Sequence, residues 1–102
     1  MTFFKSTYYG EEAKKKKRKI INRLKHHKFA PNIYVLAIPE YDNNLIDIYK
    51  PNTLLWPHYK DVDIKVIGVA KGDGEAYELA KTIIWDVYSK TQGFDIKSYF
   101  KI

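Results

Sequence analysis

The sequence contains no cysteine, which excludes disulfide scaffolding, thiolate metal sites and cysteine nucleophiles and fits a reducing compartment. Arginine is almost as scarce: of eighteen cations only Arg18 and Arg23 are not lysine, which weakens any case for bidentate recognition of phosphate or guanine. No window approaches the roughly eighteen apolar residues of a spanning helix, and the opening MTFFKSTYYG lacks the apolar run of a signal peptide. These absences lead to the expectation of a soluble, cytoplasmic protein. No repeat, linker or low-complexity segment interrupts the chain apart from one lysine run, so residues 1–102 read as a single domain.

Charge is present, but in one place. The net charge is +6, yet Glu11 to Lys28 holds nine Lys and Arg against two Glu, which is +7 and leaves the remainder at −1. Abundant Lys, Ile, Tyr, Asn and Phe match AT-rich codons and suggest a bacterial source. Such a bias also gives a lysine run a plain explanation, a solvated helix face.

The chain is organised around Val62 to Gly93. Ile64, Val66, Ile67 and Val69 make a strand that is apolar on both faces and therefore internal. Lys71 to Gly74 break that pattern, with Asp73 expected to cap the following helix. Ala76, Leu79, Ala80, Ile83, Ile84, Val87 and Tyr88 then recur at helical spacing, and Gly93 is the expected stop. Tyr77 and Trp85 widen the apolar side beyond what one sheet face needs, so something else must touch this helix.

Before this unit, Glu11 to His27 predicts an amphipathic helix with Ala13, Ile20, Ile21 and Leu24 on one side, ended by Pro31. Ile33 to Ile38 and Leu45 to Tyr49 predict two strands joined by a hairpin turn over Pro39 to Asn44. In Pro51 to Asp61 only one helical turn is expected, capped by Asn52 and anchored to the core by Trp56. The aromatic segment Met1 to Gly10 should dock on the body, and the tail from Phe94 should pack as an edge strand. The expected fold is α+β: a two-layer sandwich of a three-stranded antiparallel meander and two helices on one face, in the order α-β-β-β-α plus tail.

That arrangement leaves one sheet face bare. Tyr34, Leu36 and Ile38, with Trp56 and Phe100, would then form an apolar interface for a protein partner or a second copy.

The loudest motif is the basic helix, residues 14–28. Lys14, Lys15, Lys16, Lys17, Arg18, Lys19, Arg23 and Lys25 could displace counterions from a nucleic acid, with Tyr8, Tyr9 and Phe29 stacking on bases. A membrane-surface role ranks lower, because the helix's apolar stripe lacks bulk. Gly68, Gly72 and Gly74 fit no phosphate-loop fingerprint. His26 and His27 diverge by about 100° on a helix and cannot share one metal ion. His58, near Asp61 and Asp63, is a loop histidine without a nucleophile or metal-ligand motif beside it. No catalytic residue, cofactor or metal is assigned. The expectation is a non-catalytic interaction module that docks a partner or itself, the alternative a polyanion-binding protein using the basic helix.

Overall fold

The structure is a computed structural model that describes residues 1–39, 44–59 and 61–101. It is a small mixed α+β domain built on one four-stranded sheet. The strands are β1 (Thr2–Tyr9), β2 (Ile33–Ala37), β3 (Asp47–Tyr49) and β4 (Lys65–Lys71), and the helices are α1 (Glu11–Lys15), α2 (Lys17–Lys25), α3 (Asp73–Thr91) and α4 (Ile96–Tyr99). Two 3₁₀ turns, Thr53–Leu55 and Pro57–Tyr59, link β3 to β4.

β4 is internal, as its two apolar faces demand, and the sheet order is β1-β4-β2-β3. β2 runs antiparallel to both β3 and β4, while β1 runs parallel to β4, so the sheet is mixed. The expected three-stranded meander therefore gains a fourth strand from Met1 to Gly10. The edge strand is this N-terminal segment and not the tail, which instead forms α4. There Asp95 accepts a hydrogen bond from the Ser98 amide at 3.1 Å, and Ile96 and Phe100 are buried one helical turn apart.

Both helical units do not share one face. Ala13, Ile20, Leu24 and Leu54 pack with Val35, Val66 and Val69 on one side of the sheet. Leu79, Ile83, Val87, Ile96 and Phe100 pack with Leu36, Ile67 and Ala70 on the other. Strand residues that alternate in direction thus feed two separate cores, and the face expected to be bare is roofed by α3 and α4. Leu36 and Phe100 lie inside that core, and Tyr34 and Ile38 are half-buried against it, so these four do not form an open interface. Trp56 is not the anchor of its loop. It is exposed, and Leu54 takes the core position, because Asn52 turns left-handed (φ 66°) before the 3₁₀ turn and aims Leu54 inward.

β4 carries an irregularity that sets the position of α3. Leu36 pairs with Gly68 and Ala37 with Val66, while Phe3 pairs with Val66 and Tyr8 with Gly68, so Ile67 is bypassed on both sides. β1 bridges the gap with Phe4 to Thr7. The buried Thr7 hydroxyl donates to the Val66 carbonyl at 2.8 Å and accepts from the Phe4 amide at 2.9 Å, replacing lost ladder bonds. A Cβ on Gly68 would lie 3.1 Å from Leu79 and 3.2 Å from Ile83, so glycine is what lets α3 settle closely on the strand.

The helix ends fall one residue from expectation. Gly72 (φ 87°) is the N-cap of α3 and Gln92, left-handed at φ 58°, its C-cap. The Asp73 carboxylate still accepts the free Gly74 amide at 2.7 Å. The expected hairpin turn falls largely on residues 40–43, outside the described residues.

A polar latch joins β1, α3 and α4. The Tyr8 hydroxyl lies 2.6 Å from an Asp86 carboxylate oxygen and 2.7 Å from the Tyr99 hydroxyl. Burial, and then the bond to Asp86, push the Tyr8 phenol well above its ordinary range.

Candidate functional site

The basic segment is not one continuous helix. It breaks at Lys16 (φ −125°, ψ 34°), within the one stretch that has no apolar residue to seat it and where successive cations repel at three- and four-residue spacing. Ala13 before the break, and Ile20 and Leu24 after it, still pack on the sheet. The lysines therefore ride on the outside of a helix pair that is held from below.

The eight cations of the sequence reading divide into groups. Lys15, Lys16, Lys19 and Arg23 line one cleft of about 260 Å³. Lys17 instead lies over the Tyr9 ring, 4.5 Å from its centre, and Lys25 lies 5.6 Å from the centre of Phe3. Lys14 and Arg18 are exposed and do not line the cleft. Across the cleft stands a fifth cation, Lys71, delivered by the last residue of β4. Ile20, Ala30, Pro31 and Ile33 form its apolar floor, and Glu12 is its one acid, paired with Lys15 at 3.2 Å. Five lining cations against Glu12 leave a formal +4, which the Glu75 carboxylate bonded to the Glu12 and Lys71 amides reduces to +3, so the cleft is positive.

Local bonds fix its walls. Arg23 Nη1 donates to the Phe29 carbonyl at 3.0 Å, tying the cleft wall to the residue just before Ala30 in the floor. The Phe29 ring is 59% exposed, whereas Tyr9 sits under Lys17 and Tyr8 faces the opposite core. Of the three proposed stacking aromatics, only Phe29 is thus freely exposed, and none of the three lines the cleft itself. The floor is held by the Ala30 amide donating to Asn52 Oδ1 at 2.9 Å and by the Gly72 amide donating to the Asn32 carbonyl at 2.8 Å.

Glu75 closes the construction. One carboxylate oxygen accepts the Glu12 amide at 2.6 Å and the other accepts the Lys71 amide at 2.5 Å. It therefore caps α1 from another element and staples one wall of the cleft to the other. Gly10, the N-cap of α1, offers no side-chain bond of its own, and a Cβ there would lie 2.3 Å from the Glu75 carboxyl carbon. Within its own helix Glu75 is simply a first-turn acid that suits the helix dipole, and nothing local marks its contact 63 residues away. The part of Lys71 in the cleft is hidden in the sequence for the same reason.

Glu75→Gln keeps one acceptor but presents an NH₂ group to the second amide. The substitution should cost about 1–2 kcal/mol, since charge-assisted bonds at a helix end are worth roughly that much, and lower the melting temperature by about 4–8 °C per kcal/mol in a domain of this size. A thermal melt checks it, and an unchanged midpoint contradicts the staple.

The remaining candidates are not assembled. His58 is exposed and packs edge-on against Tyr59 with ring centres 4.9 Å apart. Asp63 is bonded to the Thr2 hydroxyl at 2.8 Å, which holds its carboxyl below the usual range, so it does not orient His58. His26, the C-cap of α2, bonds the Asn22 carbonyl through Nδ1, and His27 just beyond it is left-handed. Among the described residues no group of three or more His, Cys, Asp or Glu is placed to hold a metal ion, and no helix is long and apolar enough to cross a membrane. Comparison of the chain with protein families, curated proteins and solved structures finds no match.

Proposed function

We propose that the protein binds nucleic acid along the cleft between α1–α2 and the end of β4, taking single-stranded stretches in preference to duplex. The observation that carries this is the arrival of Lys71, from a different element, opposite Lys15, Lys16, Lys19 and Arg23 over an apolar floor. Five cations lining one groove suit a phosphate backbone, and the exposed Phe29 ring, next in sequence to Ala30 of the floor, offers a platform for an unpaired base. Four of the five are lysines, point charges without a planar fork, so binding should depend little on sequence.

Contact with five phosphates of a single strand gives a slope of about −3.5 for log affinity against log salt. Raising salt from about 50 to 200 mM should then weaken binding about 100-fold. Fluorescence anisotropy with a labelled oligonucleotide of mixed sequence tests this. Absence of binding at the lower salt removes the proposal.

A further inference from the structure

The outer side of α3 remains uncovered, and its residues follow an order that complements itself when reversed, lysine falling opposite tryptophan and tyrosine opposite tyrosine. Tyr77, Lys81, Trp85 and Tyr88 succeed one another at spacings of four, four and three, within about 80° of the helix circumference. Trp85 and Tyr88 are stacked with ring centres 6.5 Å apart, and Phe94, just beyond the helix, extends the plate 5.6 Å from Tyr88. Lys81, Ile84, Trp85, Tyr88 and Phe94 together line a shallow apolar hollow. None of these rings belongs to either core cluster, and α4 leaves them open.

We infer that this stripe is the docking surface for a second copy of the chain, with the two α3 helices antiparallel across a two-fold axis near residue 83. The midpoint between Tyr77 and Tyr88 and that between Lys81 and Trp85 coincide to about half a residue, under 1 Å along a helix. One axis therefore serves both pairs. It sets Lys81 of each copy on the Trp85 ring of the other, twice over, and Tyr77 against Tyr88. Trp is the strongest partner for a cation among the aromatic rings. Lys81 has the freedom to reach it, since its bond to Glu78 is a 3.3 Å surface pair with both side chains 75% exposed.

Area sets the strength of this contact. Trp85, Tyr77, Phe94 and Tyr88 are 68%, 62%, 56% and 43% exposed. At the size of aromatic side chains these four present on the order of 500 Å² per copy. Pairing would bury at most about 1,000 Å² in total from these rings, below the roughly 1,200–2,000 Å² of stable complexes and in the range of transient ones. A contact of that size is weak, concentration-dependent and not obligate, and its dissociation constant is expected at about tens of micromolar or above. This surface lies on the side of the sheet opposite to the cationic cleft, so its test is independent of nucleic-acid binding.

The experiment is sedimentation velocity over about 5–300 µM, a range that brackets this affinity, on the wild-type chain and three exposed-site variants whose folding is checked by circular dichroism. The wild type should shift from monomer to dimer. Lys81→Glu, which sets a carboxylate against each Trp85 ring, and Trp85→Ala should each weaken association at least about tenfold, while Lys81→Arg should keep or tighten it. In a Trp56→Phe background, Trp85 emission should move to shorter wavelength as the dimer forms. A wild type that stays monomeric throughout overturns the inference, and so does a dimer whose affinity is indifferent to Lys81→Glu and Trp85→Ala.

Discussion

Ile83→Asp is expected to leave the chain unfolded at 25 °C. Ile83 is fully buried in the middle of α3, seated over Gly68 where β4 bulges, with Leu36, Ile67 and Val87 in the same core cluster. The substitution loses about 1.5–3 kcal/mol of apolar burial, and it places a carboxylate where no described cation can reach it, a further several kcal/mol. Together these consume most or all of the roughly 5–15 kcal/mol by which a domain of this kind is stable. The neighbouring exposed position gives the control, since Thr82→Asp adds the same charge to solvent and should cost under about 1 kcal/mol. Circular dichroism and a thermal melt read the difference. A cooperative Ile83→Asp transition near that of the wild type would mean that α3 does not sit where it is described.

The second large effect concerns binding. Changing Lys15, Lys16, Lys19 and Arg23 together to Gln should weaken oligonucleotide binding about 100-fold or more at 50 mM salt and flatten the salt slope toward the single contact left by Lys71. Stability should hold or rise slightly. Gln is as good a helix former as Lys, and the change relieves like-charge repulsion around the break at Lys16. The variant also loses the Arg23 bond to the Phe29 carbonyl and the exposed Lys15–Glu12 pair, so a thermal melt accompanies the binding measurement, and a midpoint near that of the wild type assigns the loss to the cleft. The matched control removes Lys14, Lys17, Arg18 and Lys25, four cations that lie outside the cleft, and should cost far less. Equal losses in the two variants would reduce the site to diffuse attraction by a lysine-rich surface.

What could be read from the residues follows from how local each signal is. The apolar strand before Lys71 and the helix after it were legible because Val66, Ile67 and Val69, then Leu79, Ile83 and Val87, carry their period in consecutive sequence. The caps at Gly72 and Gln92 were missed by one residue, since Asp73 and Gly93 are equally good local candidates. β1 was not legible as a strand. Its bulge at Phe4 to Thr7 breaks the alternation of side chains, and its partner is 63 residues distant at Thr2 and Lys65. Failing to place β1 left a three-stranded meander, and setting both helices on one face left the other bare and put an interface at Leu36 and Phe100, both of which are core. Trp56 misled through bulk, for Leu54, smaller and two residues earlier, is what the left-handed turn at Asn52 directs inward. Tyr77 and Trp85 were legible as excess apolar surface on α3, though not as a stripe that pairs with itself. Half of the cleft was legible in the lysine run. The rest was not, because Lys71 and Glu75 reach it only through the pairing of β4 and the return of α3.

The claim on which the functional reading stands is that folding, and not lysine content, makes the site. Lys71→Gln and Lys14→Gln remove the same charge, one from the far wall of the cleft and one from the exposed helix outside it. The most direct measurement is the affinity of each variant for one labelled single strand across a salt series. Lys71→Gln should weaken binding about three- to tenfold and reduce the salt slope by about 0.7, and Lys14→Gln should leave both nearly unchanged. Identical behaviour of the two variants, or a larger loss from Lys14→Gln, would contradict the cleft.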